Sequence, residues 1–209
     1  MKYDAKSEQA LMTELWDPQI ADDPEKFVLF AYPWGKANTP LCNHKGPRTW
    51  QRDDLQAMAA HIKMNKERIA LGLDPIMWRE AMASGRGPGK SAKVAWLVDW
   101  MLSTRLGSTV IVTANTEPQL KTRTFAEIGK WTTLLINAHW FETTVLSVRP
   151  APWFKQCLVD QLTVDCGYYY AQGQLWSEEN PDAFAGGITP TASWSSTTKR
   201  AAFRCPSSM

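Results

Sequence analysis

From Thr49 onward the apolar positions recur at helical spacing. Leu55, Met58, Ala59, Ile62 and Ile69 share one face, and Asp53 and Asp54 fall in the first turn, where the helix dipole favours acids. Gly72 and Pro75 mark the end of this helix. The run IMWREAMA predicts a buried strand over Ile76–Ala83, followed by a glycine-rich turn and a helix from about Lys90 to Thr104, closed by Gly107. STVIVTAN at Ser108–Asn115 is short, apolar and β-branched, which reads as a central strand. Pro118 suits a first helical turn, and the helix it opens is expected to run to Ala138. FETTVLSV at Phe141–Val148 predicts the next strand, stopped by Pro150 and Pro152.

Residues 1–45 are punctuated by Pro18, Pro24, Pro33 and Pro40. They read as a short helix near Glu8–Trp16 followed by an extended arm. The later alternation of strands and helices is the α/β signature with a parallel sheet. The chain then divides into an irregular, partly helical N-terminal arm (1–45), an α/β domain (46–187) and a tail (188–209). The tail contains no Asp or Glu and shows neither strand nor helix period.

Composition narrows the class. At 209 residues, 44% hydrophobic and 21% charged, the chain is expected to be neither disordered nor a coiled coil. No apolar run of about eighteen residues occurs, and the opening MKYDAKSEQA has no apolar core, so neither a spanning helix nor a signal peptide is expected. A net charge of +2 neither demands nor excludes a nucleic-acid partner. The four cysteines have no CxxC spacing, and Cys42 with His44 supplies two ligands, too few for a metal site. A reducing cytoplasm is the default expectation. The 11 tryptophans fit a core or a binding platform equally.

The chemistry centres on Ser84–Ser91, SGRGPGKS. A phosphate-binding loop reads G-x-x-x-x-G-K-[ST]. Gly89, Lys90 and Ser91 match its end, while Ser84 stands at the first glycine. Flexible Gly85, Gly87 and Gly89 let backbone N–H groups curl around a β-phosphate. Lys90 reaches the β/γ oxygens, Ser91 holds Mg²⁺, and the helix N-terminus adds its dipole. Arg86 is placed to touch a phosphate or to act between subunits. Pro88 removes one N–H from the cradle. The alternative is a plain glycine turn with an exposed lysine. Upstream, the Gln51 amide can both donate to and accept from an adenine edge, and Trp50 packs either on a base or in the core.

Four stretches carry a family resemblance: GPRTWQRDDL, SGRGPGKSAKVAW, STVIVTANTEPQLKTRTFAEIGKW and LWSEENPDAFAG. Over roughly residues 27–187 the chain resembles the ATPase domain of tailed-phage terminase large subunits, the motors that package DNA into procapsids. The resemblance implies a P-loop NTPase-type parallel sheet flanked by helices. It implies ATP and Mg²⁺ as cofactors, an adenine motif at Trp50 and Gln51, and a phosphate loop at Ser84–Ser91 in which a small residue replaces the first glycine. It also implies a terminase small subunit, a portal protein and double-stranded DNA as partners, a ring oligomer, and the cytoplasm of a bacterial host carrying a phage or prophage.

The family pattern also calls for an apolar strand ending in Asp-Glu after AFAG, and for a C-terminal nuclease domain. Neither follows Gly187. Back-translated with permissible codons and read one nucleotide earlier, the tail gives HYTDGIMVIYDEASGIPLSIIN, which contains such a strand. The expectation is therefore an N-terminal terminase fragment, truncated by a frameshift near Gly186. Its sheet is incomplete on the C-terminal side, and it binds ATP weakly without hydrolysing it alone. The alternatives are a complete small P-loop ATP-binding or regulatory protein, or a P-loop enzyme using Asp160 or Asp165. Lys121, Arg123 and Lys130 read as a solvated helix face or as a DNA-tracking or subunit-contact surface.

Overall fold

A computed structural model describes residues 4–175 other than Ser84, Arg86 and Pro88. The tail at 188–209, its proposed frameshift and the end of the 46–187 domain lie outside the described residues.

The first segment opens with three helices, α1 (Ala5–Leu15), α2 (Pro18–Ala21) and α3 (Pro24–Ala31), and residues 32–48 are irregular. Helices α2 and α3 thus replace the first part of the extended arm expected after Trp16. Pro18 and Pro24 start helices here instead of breaking them. Each occupies a first turn, where its missing N–H costs nothing, behind an aspartate that caps the turn. Asp17 accepts from the Gln19 N–H at 2.8 Å and Asp23 from the Lys26 N–H at 3.1 Å.

The long helix α4 (Thr49–Ala70) follows the expected periodicity, burying Leu55, Met58 and Ile62 together with Gln51. Ile69 stays outside the core. The strand expected at Ile76–Ala83 does not form. The segment is irregular and largely exposed, with Met77 71% exposed. The backbone of Ile76 is already engaged by α4: its N–H donates to Asn65 Oδ1 and its carbonyl accepts from Asn65 Nδ2, both at 2.8 Å. Trp78 packs against His61 with ring centroids 5.1 Å apart.

Helix α5 (Lys90–Thr104) is apolar around much of its circumference, burying Ala95, Trp96, Val98, Trp100 and Leu102, and so lies in the interior. β1 (Thr109–Ala114) follows it. The next helical run is composite: α6 (Glu117–Gln119), a π-helical turn (Leu120–Phe125) and α7 (Ala126–Thr132), which ends short of Ala138. The single strand expected over Phe141–Val148 is a hairpin of β2 (Phe141–Thr143) and β3 (Ser147–Pro150). Its turn is closed by side-chain chemistry, with the Ser147 N–H donating to Thr144 Oγ1 at 3.1 Å. Pro152 then opens α8 (Pro152–Leu162), and β4 (Tyr170–Leu175) completes the described chain.

The result is an α/β architecture with a four-stranded mixed sheet in the order β1-β4-β3-β2. β1 and β4 are parallel, from Thr109 opposite Tyr170 to Ala114 opposite Leu175. β3 runs antiparallel to both β4 and β2. The expected all-parallel sheet is thus corrected to a mixed one, and β1 lies at the edge of the described sheet, not at its centre. A β-hairpin supplies the antiparallel half, because a two-strand reversal needs only a short turn whereas a parallel pair needs a crossover. Gly173 of β4 lets the composite helix sit close on the sheet: a Cβ there would meet Phe125 at 2.9 Å and Leu120 at 3.0 Å.

One apolar core joins Met12, Leu15, Phe27 and Val28 from the first helices to Leu55, Ala95, Trp131 and Phe154. Much of the tryptophan content lies here. Tyr32, Trp34, Trp96 and Trp131 form a cluster of edge-on and tilted rings, with centroids 5.1 Å apart for Trp96 and Trp131.

Candidate nucleotide-binding loop

The glycine-rich loop leads directly into α5. Gly89 is the N-cap residue, in the left-handed region at φ 97°, and Gly87 has φ 84°. Those angles are open to glycine and strained for other residues, so the turn itself requires glycine at positions 87 and 89. They deliver Lys90 as the first helical residue. Its Nζ donates to the Gly85 carbonyl at 3.1 Å, folding the side chain back across the loop. Ser91 is exposed on the first turn. Gly89 has no side chain to offer the N–H groups of that turn, so they face the loop.

The N-terminus of α4 grips the same loop. Gln51 is only 3% exposed. Its Oε1 accepts from the Arg48 N–H at 2.9 Å, and its Nε2 donates to the Gly89 carbonyl at 2.9 Å. Arg48 Nη1 reaches the Gly87 carbonyl at 3.5 Å. Trp50 is half-buried, with Lys93 Nζ 6.0 Å from its ring centroid.

One turn along α5, Lys93 is 2% exposed and is one of two charged residues, with Asp99, that the helix buries. It pairs with Asp54 of α4 at 2.9 Å and with Glu80 of the irregular segment. A buried ammonium needs such partners, because burial without them disfavours the charged form. The ion cluster therefore ties three pieces of chain together behind the loop.

The structure thus gathers Gln51, Gly85, Gly87, Gly89 and Lys90 through direct contacts, with Ser91 adjoining them and Trp50 flanking Lys93. Ser84 and Arg86 lie outside the described residues. Arg48, Asp54, Glu80 and Lys93 belong to the same neighbourhood and were not singled out for it from the sequence. Asp53 and Asp54 had been read only as dipole partners of α4. The available signal was Lys93 itself, a second lysine three residues after the motif lysine on a largely apolar helix.

The alternative acids are elsewhere. Asp160 is exposed on α8, accepting from Gln156 Nε2 at 2.8 Å. Asp165 lies in the turn before β4, accepting from the Gly167 N–H at 2.8 Å. Neither ends a strand, as a carboxylate of a P-loop enzyme was expected to do. Among the described residues no group of three or more His, Cys, Asp or Glu is placed to hold a metal ion.

The arrangement is suited to an anion: flexible glycines, a lysine and an exposed hydroxyl stand at the N-terminus of a well-packed helix. No protein-family profile, curated protein or solved structure matches this chain.

Proposed function

We propose that the chain is the ATP-binding part of a terminase-type DNA-packaging ATPase, with Ser84–Ser91 as its phosphate loop. The observation that carries this reading is the pair of positive-φ glycines, Gly87 and Gly89, that deliver Lys90 and Ser91 onto the open first turn of α5. The residues fit a nucleoside triphosphate with Mg²⁺. Backbone N–H groups of Gly85, Gly87 and Gly89 would face the phosphates, Lys90 would neutralise their charge, and Ser91 Oγ would be the ligand for Mg²⁺. Bound ATP would supply the phosphoryl group whose transfer drives the motors this sequence resembles. Trp50, half-buried in α4's first turn with Lys93 Nζ over its ring, would be the residue that packs on a base.

Hydrolysis asks for carboxylates that position Mg²⁺ and an attacking water. Asp54 and Glu80 are committed to Lys93, and Asp160 and Asp165 are not at strand ends. On this reading the described residues bind ATP weakly and do not by themselves give motor-like turnover. The P-loop fold, the terminase small subunit, portal protein and double-stranded DNA as partners, the ring oligomer and the bacterial cytoplasm follow from the sequence resemblance. No helix among the described residues is long and apolar enough to cross a membrane. The bases offered for a DNA-tracking surface face solvent: Lys121 pairs with Glu117, Lys130 with Glu127, and Arg123 is exposed.

The test is a titration of a fluorescent ATP analogue against the wild-type protein and Lys90→Ala, with phosphate release measured in parallel. Binding that falls at least tenfold on losing Lys90, without turnover, is the expected result. Equal binding by both proteins removes the phosphate-loop reading. Robust turnover that depends on Lys90 replaces the fragment reading with a complete enzyme.

A further inference from the structure

We propose that Gln51 is a positioning residue that sets the shape of the loop, and that it does not read adenine. The inference rests on the phosphate-loop reading of Ser84–Ser91 and assigns Gln51 a different task within it.

Recognition of an adenine edge by glutamine needs the amide oxygen and nitrogen presented together to the base. Here they are turned to the backbone of two helix starts. Oε1 accepts from the Arg48 N–H where α4 begins, and Nε2 donates to the carbonyl of Gly89, the residue that caps α5. With 3% of its surface exposed, Gln51 presents no open edge to a base.

The contact is also close enough to be selective. A Cβ on Gly89 would lie 2.8 Å from Gln51 Nε2, so the amide and the glycine fit only as a pair. The Gly89 carbonyl that accepts from Gln51 also accepts the Lys93 N–H at 3.1 Å, the bond that starts α5. Gln51 thus fixes the orientation of the peptide from which Lys90 and Ser91 depart. Arg48, gripping the Gly87 carbonyl, acts on the same loop from the same end of α4. A residue working this way affects every ligand that uses the loop, with or without a base.

The experiment titrates ATP, GTP and inorganic tripolyphosphate into the 209-residue wild type, Gln51→Glu, Gln51→Ala and Lys90→Ala. Gln51→Glu keeps the acceptor for the Arg48 N–H, so α4 stays capped, while it loses the donor to Gly89 and sets a carboxylate against that carbonyl. Losing one such hydrogen bond should weaken binding by about fivefold to tenfold. The loss should be the same factor for all three ligands, and amide exchange at Lys90–Lys93 should accelerate in the ligand-free variant. A loss confined to ATP overturns the proposal and returns Gln51 to adenine recognition. Unchanged binding or unchanged exchange in both Gln51 variants also overturns it. Tripolyphosphate binding that is absent from the wild type, or indifferent to Lys90→Ala, overturns the phosphate-loop reading itself and this inference with it.

Discussion

The Tyr32 hydroxyl donates to Asp99 Oδ2 at 2.7 Å in the protein interior, joining the end of α3 to the middle of α5. The other carboxylate oxygen lies 2.7 Å from Thr132 Oγ1, which is also 2.9 Å from the Ile128 carbonyl. Thr132 has one proton and can give it to only one of them. A protonated Asp99 resolves the conflict by donating to Thr132, which then donates to Ile128.

Burial pushes the Asp99 carboxyl from its ordinary 3.8 up to about 7, while the hydrogen bonds that Tyr32 and Thr132 can give to the ionised carboxylate pull the other way. Burial, and then Asp99 itself, also raise the Tyr32 hydroxyl well above its ordinary value. The folded pKa of Asp99 lies above the unfolded one, so the fold holds this proton more tightly than the open chain does. Its stabilising contribution is complete below about pH 4 and is lost as pH rises towards 7. Urea midpoints measured from pH 4 to pH 8 should show a downward slope in that window, worth on the order of a few kcal/mol, that Asp99→Asn flattens. An identical slope in Asp99→Asn would show that other groups set it.

Lys93 makes a second prediction. Replacing it with methionine preserves the volume of the stem but leaves Asp54 and Glu80 facing each other without a cation. Removing one partner of a buried ion pair costs roughly 3–5 kcal/mol. Both carboxylates keep some solvent access, with side-chain exposures of 35% and 25%, so a smaller loss of about 2 kcal/mol is expected. The same change should release the irregular segment, which limited proteolysis will detect as new cleavage around Met77–Ala83. A Lys93→Met protein as stable and protease-resistant as the wild type would mean that Asn65 and His61 hold the segment alone.

Elements whose signal is local were legible in the sequence. α4, α5 and β1 announce themselves by sustained periodicity or β-branched runs, and α5 begins at the expected Lys90. Elements that depend on distant partners were not. β4 contains AQGQ, with neither alternation nor β-branched residues, and becomes a strand by pairing in parallel with β1, far earlier in the chain. The hairpin within FETTVLSV hides in Thr144 and Ser147, whose side chains close a turn with no glycine or proline. Pro18, Pro24 and Pro152 were read as breakers because an N-terminal proline and a disruptive one look alike until the helix is placed. Ile76–Ala83 shows the converse: its apolar residues suggest a strand, yet Asn65 takes up Ile76's backbone groups and Glu80 goes to Lys93. At the site, Gly-Lys-Ser is a contiguous pattern, whereas the grip of Gln51 on Gly89 spans 38 positions and has no sequence signature.

That grip makes the third prediction, a comparison of two glycines in one loop. Gly87 and Gly89 both have positive φ, at 84° and 97°. Alanine at either should therefore lose about 1–2 kcal/mol through backbone strain. Their surroundings differ: a Cβ on Gly87 meets nothing within 4 Å, while one on Gly89 meets Gln51 Nε2 at 2.8 Å. Gly89→Ala must also displace a buried amide and break its hydrogen bond, which adds about 1 kcal/mol. Chemical denaturation of the wild type, Gly87→Ala, Gly89→Ala, Gln51→Ala and the two double variants separates these contributions. In the Gln51→Ala background the cost of Gly89→Ala should fall to that of Gly87→Ala, whose own cost should not change. If Gly89→Ala costs the same with and without Gln51, the contact does not hold the loop in solution, and the strain of the turn alone explains why glycine stands there.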